Sequence, residues 1–361
     1  MRSFLTLGLI LCGCSALAAE KVVLVAGGGT GADGTEATKA KLVQPFAVDF
    51  DKEGNIYFVE MAGGERLRKI DSKGILTTLA GTGKKGDAGD KGPGDKAEFN
   101  GMHNLIWRAG FDFILVADTF NNRLRYFDLE KKTVHAHAGT GNKGFAGDGE
   151  LLFEAQFNQP ICIAQDPFKN YIYVADIGNK RIRQIGILEG IVNTVAGNGK
   201  AGVPKDGEPA KEQPLVDPRA VAADEGGNVY ILERNGHALR VVDKSGKIRT
   251  VAGTGKAGIG GDGGPALKAA MNGPKFISID PADSSVLIAD TENHQIRRYV
   301  PKTETMELVA GTGKKGSRGI DGDPKKLELG RPHGVSIHPK TGDIYIADSD
   351  NNRILKIVKG K

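Results

Sequence analysis

The sequence predicts an all-β fold, a six-bladed β-propeller whose ring is closed by a strand from the N-terminus. Three observations lead to this prediction. One glycine-containing string recurs six times at nearly constant spacing, and a second string that ends in an acidic residue recurs in phase with it. Short β-branched runs bounded by Gly, Pro, Asn or Asp separate the two strings, and no stretch keeps a helical periodicity.

The first string reads Ala-Gly-Thr-Gly, with small variations. Its copies begin at Ala26, Ala80, Ala138, Ala196, Ala252 and Ala310, so that successive copies lie 54 to 58 residues apart. This period is long for a solenoid repeat but typical of a propeller blade with one extended loop. A four-stranded unit with two apolar faces buries both only by stacking in a ring.

The second string resembles Val-Ala-Asp. Its acidic ends are Glu60, Asp118, Asp176, Glu233, Asp290 and Asp348. A role repeated six times indicates architecture, because an acid at a strand end accepts hydrogen bonds from turn amides and pairs with an Arg across the hairpin. Arg123, Arg181 and Arg353 stand five residues after their acids and are the predicted partners.

Each repeat is predicted to contain four strands, named A to D in chain order. In the third repeat they are expected over residues 161–164, 170–175, 181–187 and 191–196. The last repeat ends with its strand C at residues 353–358, so its strand D must come from elsewhere. Residues 21–26 carry the strand D pattern, and the N-terminus is therefore expected to complete the last blade.

Glycine is abundant, with 52 residues in a chain of 361, yet 39% of the residues are hydrophobic, which excludes a disordered chain. The formal net charge of +5 is spread over 49 basic and 44 acidic residues and gives no argument for a nucleic-acid partner. The spacing Gly81-x-Gly83-x-x-Gly86 matches a dinucleotide fingerprint, but Gly, Asp and Pro follow where a helix is required. These residues are predicted to be turn glycines.

Residues 1–19 are predicted to be a signal peptide, followed by one propeller domain over residues 20–361. Arg2 supplies the positive charge, residues 4–11 the apolar run, and Ala16-Leu17-Ala18 the cleavage pattern. A lipid on Cys14 is the alternative. No other apolar run is long enough to span a bilayer. We therefore expect a periplasmic or secreted protein, in which Cys162 is a buried small apolar residue.

The last repeat carries Pro332-His333-Gly334-Val335, then Asp343-Ile344-Tyr345-Ile346-Ala347-Asp348, then Asn352-Arg353-Ile354. With these motifs the chain resembles the NHL-repeat family, over residues 21–358. It is most similar to exported bacterial members with a Gly-Asp-Gly-Gly-Pro-Ala loop, found here at residues 261–266. The resemblance implies a six-bladed β-propeller. It implies no single activity, since the family includes scaffolds, sensor domains, RNA binders and a lyase.

The candidate site lies where the repeat varies. The residue after the strand A proline should enter the central channel, and across the six blades it is Phe46, His103, Ile161, Arg219, Lys275 and His333. In the second blade Met102 replaces the proline. We expect His103, Arg219, Lys275 and His333 to converge at the channel mouth and to bind a small anionic group, such as a carboxylate of a peptide or sugar acid. A water-filled channel without a ligand is the alternative.

Two classes of function follow from this site. The first is an exported, monomeric binding module without cofactor or metal, which takes a protein, peptide or small anionic ligand on the face of the D-to-A and B-to-C loops. Nucleic acid is not expected as a partner, because aromatic side chains for base stacking are scarce in these loops. Neither Gly-x-Ser-x-Gly nor His-Glu-x-x-His occurs in the chain.

The second class is an enzyme. The resemblance implies it, because NHL propellers include the peptidyl-hydroxyglycine lyase, whose channel is lined by zinc-binding histidines, some of which follow such a proline. His103 and His333 match two of those places, but Arg219 stands where the third histidine would be needed. A lactonase-like hydrolase also stays open.

Overall fold

The computed structural model describes residues 20–108 and 110–358, so the predicted signal peptide lies outside the described residues. Within these residues, 24 strands form six antiparallel four-stranded sheets, each with its strands in chain order except the last. The six sheets are the blades of a β-propeller, and the predicted fold class is confirmed.

The strands are named by their place in the blade. The innermost strands A are β2 Pro45–Phe50, β6 Met102–Arg108, β10 Pro160–Gln165, β14 Pro218–Ala223, β18 Phe276–Ile279 and β22 Gly334–Ile337. The strands B are β3 Ile56–Glu60, β7 Phe113–Asp118, β11 Tyr171–Asp176, β15 Val229–Glu233, β19 Val286–Asp290 and β23 Ile344–Asp348. The strands C are β4 Arg66–Ile70, β8 Arg123–Asp128, β12 Arg181–Gly186, β16 Ala238–Val242, β20 Gln295–Val300 and β24 Arg353–Val358. The outermost strands D are β5 Leu76–Ala80, β9 Thr133–Ala138, β13 Val192–Ala196, β17 Ile248–Ala252, β21 Thr305–Ala310 and, for the sixth blade, β1 Lys21–Ala26.

The helical content of the described residues is limited to short 3-10 turns in the loops. They are Ala37–Lys39, Gly94–Lys96, Thr119–Asn121, Ile177–Asn179, Ala210–Glu212, Ala266–Lys268, Thr291–Asn293, Pro324–Lys326 and Ser349–Asn351. Each spans three residues, so none of the helices in the described part of the chain has the length or apolar character needed to cross a membrane.

The ring is closed by the N-terminal strand, as predicted. Strand β1 pairs antiparallel with β24, in a register that runs from Lys21 opposite Val358 to Ala26 opposite Ile354. Val22 and Ala26 are fully buried in the interface that this strand completes. On the channel side, β2 of the first blade packs against β22 of the last. The two chain ends are thus joined by both main-chain hydrogen bonds and side-chain packing.

The apolar core lies between neighbouring blades rather than within one of them. Leu115 of the second blade, for example, packs in one cluster with Val174 and Ile185 of the third. All strands B except the first residues of β7 and β11 are buried along their whole length. A strand covered on both faces favours a continuous apolar run, which is the pattern seen in these segments.

The strand-end acids are architectural, as predicted, but most of their partners differ from the prediction. Asp348 pairs with Arg353 at 2.6 Å, as expected. Asp118 and Asp176 instead contact Arg125 and Arg183, which lie seven residues later, at 3.5 and 3.6 Å. The arginine two residues further along strand C points to the same side of the sheet and reaches the buried acid. The predicted pairing was therefore wrong for Arg123 and Arg181.

The arginines of strand C also connect neighbouring blades. Arg297 of β20 contacts Asp290 at 3.3 Å and Asp262 of the preceding D-to-A loop at 2.8 Å. It donates further to the carbonyl oxygens of Ala270 and Gly260. Since its side chain is fully buried, each of these acceptors replaces water. The Gly-Asp-Gly-Gly-Pro-Ala loop thus holds one blade to the next.

The first glycine of each Ala-Gly string makes a turn that other residues would obstruct. Gly253 has a φ of 94°, and a Cβ placed there would lie 2.2 Å from the carbonyl oxygen of His237. Such a conformation and such a close approach are both tolerated only by glycine. The prediction that these glycines form turns is confirmed by their positive φ angles.

Candidate functional site

The four predicted site residues lie at the channel end where the strands A begin. Arg219 is the second residue of β14 and His103 the second residue of β6, whereas Lys275 and His333 immediately precede β18 and β22. All four are buried, with exposed fractions of 4% to 9%. The fold therefore carries the variable position of the repeat to one place, because each blade presents the same point of its innermost strand to the axis.

Two of the four residues are in direct contact, and Phe46 connects a third to them. The ammonium Nζ of Lys275 lies 3.2 Å from Nε2 of His333. The ring of His333 stacks on Phe46 with 4.3 Å between centroids, and Phe46 meets the ring of His103 edge-on at 5.4 Å. Phe46, one of the two apolar residues at the variable position, is therefore the spacer between the two histidines.

The hydrogen bonds define the tautomer of both histidines. Nδ1 of His103 lies 2.8 Å from the carbonyl oxygen of Gly101, and Nδ1 of His333 lies 2.8 Å from that of Arg331. A carbonyl oxygen only accepts, so Nδ1 is the protonated nitrogen in each neutral ring. Nε2 is then an acceptor. His333 uses it for Lys275, and His103 presents it as an acceptor at the mouth.

Arg219 is the least satisfied cation of the four. Its side chain is buried, and Nε has no hydrogen-bond partner among the described residues. Burial and the neighbouring charge of Arg234 lower the pKa of its guanidinium to about 10, so it stays charged at neutral pH. Arg234 itself is paired with Asp217 at 2.7 Å. A buried guanidinium without a complete set of acceptors is energetically costly.

Both histidines are neutral at physiological pH. Burial, reinforced by the charge of Arg219, lowers the pKa of His103 to about 3. The pKa of His333 also lies well below its ordinary value, because of burial and then of Lys275 and Arg219. Burial is the larger cause, and it became visible only with the packing of the channel.

Sequence reasoning missed the acidic residue of the mouth. Glu292, just after β19, accepts from Lys275 at 2.8 Å and from Arg331 at 2.6 and 2.9 Å. Burial opposes the ionisation of Glu292, but the hydrogen bonds from these two cations lower its pKa to about 2. Burial lowers the pKa of Lys275 to about 8 against the stabilising effect of this partner. Lys275 is therefore a compensated cation, which leaves Arg219 as the stronger anion-binding group.

A signal for Glu292 was present in the repeat. It lies two residues after a strand-end acid, and that position also varies from blade to blade. The residues there are Ala62, Phe120, Gly178, Asn235, Glu292 and Asp350. Comparing this position of the B-to-C loop across the six blades, as for the variable residue of strand A, would have identified Glu292.

A second space lies further along the channel. A cavity of about 270 Å³ is enclosed by later residues of the strands A, among them Asn104, Val221 and Ser336. The four mouth residues are not part of its lining. Its acidic group is Asp49, whose pKa is raised to about 6 by burial, despite hydrogen bonds from the amides of Trp107 and Phe50. The mouth and the inner cavity are therefore distinct sites on one axis.

No group of three or more His, Cys, Asp or Glu side chains in the described part of the chain is arranged to hold a metal ion. Nε2 of His333, which a metal would require, is instead hydrogen-bonded to the Lys275 ammonium. Catalytic zinc usually takes three protein ligands, and a cation at this distance opposes a second one. The residues of the mouth therefore fit a zinc site poorly.

Two protein-family models match the chain. The teneurin NHL domain model matches residues 25–91, and the NHL repeat model matches residues 329–357. The matches fall in the first and last blades, so they lie on both sides of the ring closure.

Two curated proteins are similar to most of the chain. The chain is 27% identical over 291 residues to Protein SUPPRESSOR OF QUENCHING 1, chloroplastic, from Arabidopsis thaliana, which covers 77% of this chain and 27% of that protein. It is 25% identical over 343 residues to NHL repeat-containing protein 2 from Gallus gallus, covering 87% of this chain and 46% of that protein. The chain thus spans less than half the length of either relative.

Solved structures share the fold. An auxiliary nutrient binding protein from Bacteroides thetaiotaomicron VPI-5482 superposes with a TM-score of 0.68 at 16% identity, covering 95% of this chain and 77% of that one. A virginiamycin B lyase from Staphylococcus aureus superposes with a TM-score of 0.54 at 12% identity, covering 88% and 97%. In its repeat motifs, its two family matches and its six four-stranded blades, the chain is similar to NHL-repeat proteins.

Proposed function

We propose that this protein is an exported binding module whose channel mouth holds a small anionic group, such as the carboxylate of a peptide or sugar acid. The observation that carries the proposal is the buried Arg219, whose Nε has no partner among the described residues. A guanidinium presents its N–H donors in a planar fork that matches a carboxylate. An incoming anion would supply the acceptors that the fold does not.

The neighbouring histidine refines the expected ligand. Because Nδ1 of His103 donates to Gly101, its Nε2 accepts a hydrogen bond from whatever enters the mouth. A ligand with a carboxylate for Arg219 and a hydroxyl or amine for His103 satisfies both groups. Hydroxy acids, sugar acids and the amino-acid ends of peptides have this pair of groups, whereas a simple sugar lacks the anion.

The test is a binding measurement on the whole chain with matched probes. Gluconate, glucuronate and short peptides are compared by calorimetry with glucose and amidated peptides. We expect Arg219→Ala to weaken binding of the acids at least about tenfold, and the double variant with Lys275→Ala to abolish it. Arg249→Ala, which removes a half-exposed arginine of β17, is the control and should bind normally. Equal binding by the Arg219→Ala variant and the wild type would remove the basis of the proposal.

The competing function is a zinc-dependent lyase or a lactonase-like hydrolase centred on the same channel. Metal content after dialysis distinguishes the two classes. If the purified protein retained stoichiometric zinc that the His103→Ala and His333→Ala variants lost, the anion-binding proposal would fail. We expect no such zinc, since Lys275 donates to Nε2 of His333.

Export is the second part of the proposal. It is supported by the leader-like residues 1–19 and by the fold shared with a bacterial nutrient binding protein. We expect mass spectrometry of the protein from its native host to give a mature N-terminus near Ala19 or Glu20, just before β1. An acylated Cys14 would instead identify a lipoprotein. That the mature protein is a monomer stays a prediction.

A further inference from the structure

In five of the six blades, the residue at the end of strand A has the same structural role. The residue there accepts hydrogen bonds from the backbone amides of the following A-to-B turn. The acceptors are Asp51, Asp166, Asp224, Asp280 and His338. An acceptor at this place stabilises the turn, as in Asx turns generally.

The second blade departs from this pattern. Its residue at that place is Arg108, which can only donate. Arg108 is 2% exposed, and neither Nε nor Nη1 has a hydrogen-bond partner within the described residues. Burial lowers the pKa of its guanidinium. The second blade thus has a buried cation with unpaired donors where the other blades have an acceptor. This residue costs stability and does not stabilise the A-to-B turn.

Arg108 lines a small cavity between the second and third blades. The cavity has a volume of about 120 Å³, and its walls include Phe111, Phe113, His137 and Ile172. Phe111 and Phe113 place their rings 5.1 and 5.9 Å from the guanidinium carbon. Burial and the charge of Arg108 lower the pKa of His137 to about 4, so that ring is neutral. The cavity is therefore apolar, with one cation in its wall.

Three large apolar side chains are exposed beside the cavity. Phe111, which lines the cavity, is 57% exposed, and Leu188, next to the lining residue Ile187, is 90% exposed. Tyr171 is 39% exposed and pairs with Gly186, which also lines the cavity. Clustered exposed apolar residues mark binding surfaces.

We propose that this cavity binds the C-terminal residue of a partner polypeptide, with its apolar side chain in the hole and its terminal carboxylate on Arg108. A cavity of about 150 Å³ accommodates a benzene molecule, so this one suits a single aliphatic side chain. The carboxylate supplies acceptors for Nε and Nη1. A polypeptide rather than a free small acid is the occupant, because the preceding residues of a peptide would also cover Phe111, Tyr171 and Leu188.

The site is separate from the channel mouth. Arg108 ends β6, whereas His103 lies at the beginning of the same strand, so the two sites face opposite ends of the propeller. The proposal therefore does not depend on anion binding at Arg219, and a variant of either arginine tests one site without altering the other.

The experiment uses the whole chain with the Arg219→Ala substitution, so that the channel mouth does not retain acids. The immobilised protein is offered a pool of acetylated hexapeptides randomised at their last three positions. The pool is synthesised once with free carboxyl ends and once as C-terminal amides, and the retained peptides are identified by mass spectrometry. We expect peptides ending in Val, Leu or Ile to be enriched at least about tenfold from the acid pool and not from the amide pool. Equal enrichment from both pools, or none from either, would overturn the proposal.

Three variants separate binding from structure. Arg108→Met should abolish the enrichment and leave the melting temperature unchanged or higher, because it replaces an unpaired buried cation with an apolar chain. Leu152→Trp, which fills the cavity from its half-buried rim, should abolish enrichment without touching Arg108. Arg249→Ala, which removes a half-exposed arginine of β17, is the control that should keep it. Enrichment retained by Arg108→Met, or N-acetyl-leucine binding as tightly as the best peptides, would exclude a polypeptide C-terminus as the occupant.

Discussion

Two rings of side chains lie at the same end of the propeller and differ in almost every respect. The strand-end acids form one ring, in which each blade repeats a carboxylate bonded to an arginine of strand C. The channel mouth forms the other, in which no two neighbouring blades carry the same residue. In the first ring every arginine has a carboxylate partner, even where Nε is unpaired, as in Arg68 and Arg183. In the second ring Arg219 has an unpaired Nε and forms no ion pair within the described residues.

Repetition distinguishes structural roles from other roles in this chain. A residue kept in all six blades meets the same surroundings six times, so its role is one that every blade needs. A residue that varies while its position stays fixed in space is free of that need. At the mouth, variation coincides with unsatisfied donors and acceptors, and we infer that this ring is where selection for a ligand acts.

The largest expected effect comes from removing the strand that closes the propeller. Deleting residues 20–27 removes β1 and exposes the edge of β24. Burial of Val22 and of the half-buried Leu24 is worth about 1.5–3 kcal/mol each. We therefore expect a loss of at least about 3–6 kcal/mol in the free energy of unfolding and aggregation through the bare strand edge. Deletion of Glu20 alone is the control, and a truncated protein with the wild-type melting temperature would refute the role of the closure.

Removing one arginine from each ring tests whether the two rings contribute differently to stability. Arg297→Ala leaves Asp290 and two loop carbonyls without their buried donor, so we expect a loss of about 3–5 kcal/mol. Arg219→Ala removes a cation that was not fully paired, so the change should stay within about 1 kcal/mol. Denaturant unfolding measures both. Equal losses would mean that the mouth is as architectural as the strand-end ring.

The smallest expected effect is on the pH dependence of stability, in which the two rings should differ in sign. Burial raises the pKa of Asp290 to about 6 against the hydrogen bonds that it accepts. The native state therefore gains stability as the pH falls through about 6 towards 4, where unfolded aspartate also protonates. Burial lowers the pKa of His103 to about 3, so the native state loses stability as the pH falls below about 6.5, where unfolded histidine takes up its proton.

Two variants measured from neutral to mildly acidic pH should thus change in opposite directions. Asp290→Asn lacks the gain, and its deficit in unfolding free energy relative to wild type should grow as the pH falls. His103→Gln lacks the loss, and its deficit should shrink. The unfolding free energy of the three proteins at each pH is the measurement. A deficit that moves the same way in both variants would show that the two rings do not differ in this respect.

Much of the architecture follows from the repeat. Six copies of two strings in phase predicted the number of blades, and the missing last strand D predicted that residues 21–26 would close the ring. These inferences succeed because strand alternation and glycine turns are local properties of the chain. Arg108 was also visible in principle, since it breaks a position where other blades carry an acceptor. The unpaired donors of Arg108 and the apolar cavity beside it could not be predicted from the sequence.

The amino-acid sequence was sufficient to predict the fold, the closure and four residues of the channel mouth, but not Glu292. Only the tertiary structure decided which charges are paired: that Asp118 meets Arg125 rather than Arg123, that Lys275 is compensated by Glu292, and that Arg219 is not fully paired. The physical reason is one of range. Strand patterns depend on neighbours in the chain, whereas the free energy of a buried charge depends on acceptors from other loops and blades, and their positions are set by how the blades pack.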